Sequence, residues 1–151
     1  MPVAPEEDFP RAVLVPELLV ASLGASLRFW RDLCGFRVAY ARPDEGFAYL
    51  DRGGAQVMLE ERGRGRNWIT GPLEAPLGRG LNLEIMVPTL APVLEALEHE
   101  GWPLFVPPEE KWYRAGEAEL GVRQFLVQDP DGYLLRFSAP LGRRPWAGPE
   151  A

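Results

Sequence analysis

One order of elements occurs twice in this chain, and no other feature restricts its fold as much. Glu17 and Glu84, Val20 and Val87, Leu23 and Leu90, and Leu27 and Leu94 are each 67 residues apart. Gly35 and Gly101, both placed to stop a helix, are 66 apart. Residue identity between the halves is otherwise weak, so the repeat rests on the order and spacing of elements. The chain has 151 residues, 46% of them hydrophobic, which fills one core well and not two independent ones. The two halves are therefore expected to share one domain.

The pattern within each half is strand, helix, strands. Residues 11–20 are rich in Val and Leu and short for a helix, so they read as a strand, with Pro16 favouring an edge or an irregularity. Ser22 is placed to cap a helix in which Leu23, Leu27, Trp30 and Leu33 recur at helical spacing, Phe29 widens the stripe and Gly35 ends the run. Residues 36–41, 47–51 and 55–60 are then short aromatic or β-branched runs separated by turn residues, as in an antiparallel meander. Residues 62–80 are dense in Gly and Pro and read as a connection. In the second half residues 81–87 alternate, and Thr89 is placed to cap a helix carrying Leu90, Val93, Leu94 and Leu97, with Gly101 at its end. Residues 102–106, 121–128 and 133–138 supply strands, the last two joined by the turn Asp129-Pro130-Asp131-Gly132. This reading leaves Trp68, Trp112 and Tyr113 in irregular segments, where a large ring is expected to meet a ligand or a partner chain.

Charge and cysteine usage exclude several classes. Twenty-two acidic against 16 basic side chains give a net charge of -6, which disfavours a nucleic-acid backbone and weakly favours cationic small molecules. Cys34 is the only cysteine, so no intrachain disulfide forms and a reducing compartment is expected. The opening MPVAPEEDFP carries acids and prolines where a secretory leader carries a basic and then an apolar run, and no stretch is apolar enough to span a bilayer. The expectation is a soluble cytoplasmic protein without membrane or nucleic-acid partners. Residues 62–66 (RGRGR) read as a solvated loop, Gly78-Arg79-Gly80 lacks the strand-before, helix-after context of a phosphate loop, and the single histidine, His99, falls near a helix end.

With the elements placed, residues 16–38 (PELLVASLGASLRFWRDLCGFRV) and 121–137 (GVRQFLVQDPDGYLLRF) resemble the vicinal-oxygen-chelate superfamily, which includes glyoxalase I, extradiol dioxygenases, fosfomycin-resistance enzymes and bleomycin-resistance proteins. The resemblance implies an α+β fold of two tandem βαβββ modules forming a cupped antiparallel sheet. Its domain would run over residues 10–141, with module one at 10–61, a linker at 62–80, module two at 81–141 and a tail at 142–151. The nearest branch is that of bleomycin resistance, with Trp112 and Tyr113 ahead of Gly121, Val122, Arg123, Gln124 and Phe125; its members are homodimers. Metal enzymes of the superfamily place a histidine near the start of each module's first strand and a glutamate on the last strand. Matching the motifs puts Val15, Asn82 and Arg136 at three of these places and either Leu59 or Glu60 at the fourth. This resemblance therefore implies neither a metal nor another cofactor here.

Strand alternation examines the same positions independently. If Leu14, Leu18 and Val20 cover the helix, then Val15, Glu17 and Leu19 face the trough, with Asn82, Glu84 and Met86 in the second module and Leu134, Arg136 and Ser138 on the last strand. Glu17, Glu84 and Arg136 on an apolar floor need partners. Either a glutamate meets a ligand while Arg136 balances charge, or Arg136 pairs with a glutamate and holds the sheet, or the alternation is misjudged and they are solvated. The candidate ligand-binding residues are Glu17, Asn82, Glu84, Arg136, Trp68, Trp112 and Tyr113, with no catalytic residue assigned. The favoured function is non-catalytic binding of an aromatic or cationic small molecule, with bleomycin-type antibiotic sequestration as its specific form. The rivals are an enzyme of the same superfamily, with Glu17 or Glu84 moving a proton, and a structural module whose trough is filled by its own side chains.

Overall fold

A computed structural model describes residues 9–149. Residues 1–8, most of the stretch read against a secretory leader, and the last two residues of the expected tail lie outside the described residues. The chain forms two compact units: residues 9–79 together with Asp129–Tyr133, and residues 80–128 together with 134–149.

The first unit holds β1 (Glu17–Val20), α1 (Leu23–Leu27), β2 (Arg37–Arg42), β3 (Phe47–Arg52) and β4 (Ala55–Glu61). These strands form sheet A in the order β1-β4-β3-β2, with β1 parallel to β4 and the other pairs antiparallel. Ser22 caps α1 as expected, its Oγ accepting from Ala25 N at 3.2 Å. The helix continues as a π-helical turn over Arg28–Leu33 and ends at Gly35, whose φ of 78° belongs to the left-handed region that glycine occupies without strain. One side of the sheet presents Leu18, Val20, Ala48, Leu50, Val57 and Leu59, all buried, and α1 packs against β4. Trp30 and Phe36 meet edge-on beside them.

The strand expected over residues 11–20 is shorter, because Pro16 interrupts it and pairing begins only at Glu17. The residues before it cross the other side of sheet A. Phe9 is buried against Tyr40 and Tyr49, Arg11 stacks over the Tyr49 ring, and Val15 packs on the same cluster. Gln56 fixes this segment from the sheet: its Nε2 donates to Pro10 O at 2.7 Å and its Oε1 accepts from Ala12 N at 2.7 Å. Val13 and Leu14 are left fully exposed by this path.

The Asp129–Tyr133 turn is built into the same unit. Asp129 is buried; its Oδ2 accepts from Trp30 Nε1 at 3.1 Å and its Oδ1 from the Asp131 and Tyr133 amides. Burial pushes its carboxyl up to about 6 against these three donors, which favour the ionised form. Tyr133 Oη donates to Leu19 O, and Asp131 Oδ1 accepts from Ala21 N.

The second unit holds β5 (Asn82–Met86), α2 (Ala91–Glu100), β6 (Val106–Ala115), β7 (Ala118–Gln128) and β8 (Leu134–Pro145). Sheet B has the order β5-β8-β7-β6, again with its first strand parallel to its last. The repeat inferred from spacing is thus a repeat of topology, and the βαβββ order of both modules is present. Ile85, Phe125, Val127, Leu135 and Phe137 share one buried face, where Phe125 and Phe137 stack across β7 and β8.

Two strands depart from expectation. Residues 106–115 form β6, so Trp112 and Tyr113 lie on a strand and not in an irregular loop. The sequence hid this because Pro107 and Pro108 have low strand propensity; they are accommodated because β6 is an edge strand, with a register shift between Val106 and Glu109. The strand read at residues 102–106 is replaced by this later one. Strand β8 runs on to Pro145, through residues read as the start of a tail.

Candidate functional site

On sheet B the face opposite Phe125 carries Asn82, Glu84 and Met86 from β5 and Leu134, Arg136 and Ser138 from β8, with Gln124 and Leu126 from β7. This is the alternation expected from sequence. Arg136 and Glu84 are register partners, and Arg136 Nη2 lies 3.3 Å from Glu84 Oε2. Ser138 Oγ donates to the same Glu84 oxygen at 3.3 Å. Of the three arrangements open for this pair, the structure therefore adopts mutual pairing; at this partial exposure such a pair is worth about 0–1 kcal/mol.

Farther out on the same face, Gln124 Nε2 donates to Tyr113 Oη at 2.7 Å and to Glu109 Oε1 at 3.0 Å. Two atoms of this polar floor are buried without a hydrogen-bond partner, Gln124 Oε1 and Arg136 Nε. Each such omission costs about 1–3 kcal/mol, so these groups invite a water or a ligand atom. On this face opens a concavity of about 500 Å³, lined by Arg136 and not by Gln124. Its walls are apolar, from Met86, Leu120, Val122 and Pro140, and its polar lining comes from Glu84, Tyr113, Arg136 and Arg143.

The remaining sequence candidates lie elsewhere. Asn82 is exposed at the start of β5, opposite Leu134, and does not line the concavity. Trp112 projects to the side of β6 opposite Tyr113, over Gly121, where a side-chain carbon would approach within 2.6 Å of the indole; Arg144 stacks on that ring at 4.0 Å. Trp68 belongs to the first unit, is 72% exposed and carries Arg66 stacked at 5.5 Å.

Glu17 also belongs to the first unit, on the side of sheet A crossed by Phe9–Val15. It aligns with Met58, and Leu19 aligns with Glu60. This resolves the fourth ligand place in favour of Glu60, since Leu59 is buried on the α1 side. Although Glu17 as a residue reaches solvent, its carboxyl is raised, first by partial burial, then by a hydrogen bond and charge repulsion from Glu60, with Arg42 opposing. The two acids share a proton more readily than isolated carboxylates would.

The places where superfamily metal enzymes carry ligands hold Val15, Asn82, Glu60 and Arg136, and this set does not fit a divalent ion. Val15 has no donor atom, and Arg136 is a cation already matched to Glu84. Among the described residues no three His, Cys, Asp or Glu side chains converge. Cys34 is buried and its thiol is pushed far up by burial, which makes it inert. No described helix is long and apolar enough to cross a membrane.

Sequence reasoning missed Gln124, Leu120, Val122, Pro140 and Arg143. Alternation carried along β7 from Leu126 identifies Gln124 and Val122. Arg143 had no such signal, because its side of the strand depends on a bulge.

Comparison with known proteins completes the description of the site. The Glyoxalase/Bleomycin resistance protein/Dioxygenase superfamily model matches residues 12–137. TioX from Micromonospora sp. ML1 superimposes with a TM-score of 0.67 at 22% identity, covering 86% of this chain and 99% of that one. A virulence protein of Salmonella typhimurium gives 0.63 at 17% identity, with 87% and 98% covered. A glyoxalase/bleomycin resistance protein/dioxygenase from Alicyclobacillus acidocaldarius gives 0.58 at 18% identity, with 89% and 96% covered. At these identities the likeness is one of fold. No curated protein sequence matches the chain.

Proposed function

The chain belongs to the glyoxalase/bleomycin resistance protein/dioxygenase superfamily, which contains both enzymes and proteins that only bind ligands, and we propose that this member is a binder. It holds a small molecule with an aromatic or otherwise apolar body in the sheet B concavity and performs no chemistry on it. The observation that carries this reading is the apolar recess of about 500 Å³ whose polar lining includes Arg136, with its Nε buried and unpartnered. The residues at the superfamily's metal places support the same reading, because they offer a dication one carboxylate, Glu60, and one exposed amide, Asn82, against an apolar Val15 and a cationic Arg136. The branch this chain resembles acts as homodimers, and we extend that assembly and a cytoplasmic location to it. Sequestration of a bleomycin-type antibiotic is the specific form.

Titration of aromatic compounds, bleomycin among them, against the purified protein tests the reading. One saturable site per chain is expected, unchanged ligand is recovered, and Val122→Trp, which fills the recess, abolishes binding. Turnover of a bound compound, or saturable binding indifferent to Val122→Trp, overturns it. Sedimentation at twice the 16.9 kDa chain mass is expected.

A second reading rests on the Glu17 and Glu60 pair. A carboxyl raised by burial and by a neighbouring acid keeps its proton to higher pH than an ordinary glutamate, as a proton-transfer group requires. It requires an activity lost in Glu17→Gln and retained in Glu84→Gln, whereas pure binding shows no activity to lose.

A further inference from the structure

We propose that the ligand of the sheet B concavity is an elongated apolar monoacid whose carboxylate sits at Arg143. This rests on the binding role above, departs from its bleomycin-type form and adds the charge of the bound molecule.

The charges around the recess decide the sign. Glu84 and Arg136 pair at the inner end and cancel. Arg143, seven residues farther along β8, lines the outer end and has no ion-pair partner among the described residues. Glu117 borders the neighbouring shelf with Arg143 but makes no ion pair with it. Arg144 is committed elsewhere, to Glu119 at 2.6 Å and to the Trp112 ring. The lining therefore carries one uncompensated positive charge in a protein of net charge -6. A cationic ligand would meet Arg143, while the one acid of the lining, Glu84, is already taken by Arg136; Glu109, on the same face, lies outside the lining and accepts from Gln124.

A bulge puts Arg143 there. Between Gly121 and Val122 the register with β8 shifts: Val122 faces Pro140 and Gly121 faces Gly142, so Leu141 is the extra residue. Residues 134, 136, 138 and 140 share the concave side, and unbroken alternation would next place Arg144 on it. The extra residue exchanges the two arginines, as bulges do when they redirect a side chain. Arg143 then aligns with Leu120, and Leu120 with Tyr113, forming a row of cation, aliphatic chain and aromatic ring across three strands. A planar fork of donors next to an apolar floor and a ring recognises a carboxylate attached to a flat apolar body. The distance from Arg143 to the Glu84 and Arg136 pair, at about 3.3 Å per strand residue, calls for an elongated body.

Calorimetric titration of the full chain with 4-biphenylcarboxylate, 4-biphenylmethanol and 4-biphenylmethylamine at low salt tests the proposal. The acid is expected to bind about tenfold more tightly than the alcohol, a ratio equal to about 1.4 kcal/mol, with the amine weakest. Arg143→Gln should remove that preference, bringing the acid's affinity down to that of the alcohol. Arg144→Gln, whose side chain lies on the other side, should keep the preference. Equal binding of acid and alcohol, tighter binding of the amine, or an acid preference that survives Arg143→Gln or is lost in Arg144→Gln overturns the proposal while the binding role stands. No binding of any of the three overturns both.

Discussion

Sheets A and B share strand order and pairing sense, yet they use their second faces in opposite ways. In sheet A that face is covered: Phe9 is buried against Tyr40 and Tyr49, and Gln56 ties down the segment that brings it. In sheet B the corresponding face is an open recess with Met86, Tyr113 and Leu120 about half exposed. Strand length differs with it, since β8 has 12 residues against 7 in β4. One topology thus yields a packed core face where the chain supplies its own cover, and a ligand-sized hollow where longer strands raise walls and, among the described residues, no segment crosses them.

The largest effect should come from removing the cover. Phe9→Ala is expected to cost about 3–5 kcal/mol in urea unfolding, as for other buried Phe truncations, while Leu120→Ala on the open face costs less than about 0.5 kcal/mol. Equal costs would erase the distinction between the faces.

Asp129 sharpens the comparison next, because its turn is buried in the first unit. Its carboxyl rises from an ordinary 3.8 to about 6, so between about pH 4 and pH 6 the folded chain holds a proton that the unfolded chain releases. Stability from this group is full below that window, falls as pH rises through it, and is flat above. The difference between wild type and Asp129→Asn should therefore change across the window by up to about 3 kcal/mol. A constant difference would show that Asp129 titrates normally.

The extended end of sheet B offers a smaller test. Gly121→Ala places a methyl group within 2.6 Å of the Trp112 ring, on which Arg144 stacks at 4.0 Å. A loss of about 1–3 kcal/mol is expected, together with weaker ligand binding, since the row from Tyr113 to Arg143 lies on the same strands. Unchanged unfolding and binding would mean that the ring moves aside freely.

The smallest effect is at the acid pair of sheet A. In Glu60→Gln the Glu17 carboxyl should return toward the ordinary range, as read by NMR titration, because a repelling charge is gone. Stability should change little, and a Glu17 titration indifferent to Glu60 would dissolve the pair.

Much of this was legible in the chain itself. Helices, turns and most strands follow from local preference: Ser22 as a cap, Gly35 and Gly101 as stops, alternation at residues 81–87. The Glu84 and Arg136 pair was legible too, because alternation within a short regular strand fixes which side chains share a face. Strand β6 was not, since its prolines are tolerable only at a sheet edge, and edge position is a property of the assembled sheet.

The sequence alone determined the repeat, the family and the presence of Val15, Asn82 and Arg136 at three of the superfamily's four ligand places, because these depend on residue identity and spacing. Only the tertiary structure decided which face is covered, where the recess opens and that Arg143 rather than Arg144 lines it. A covering segment and a one-residue bulge act through contacts between residues distant in the chain, and local preferences carry no record of them.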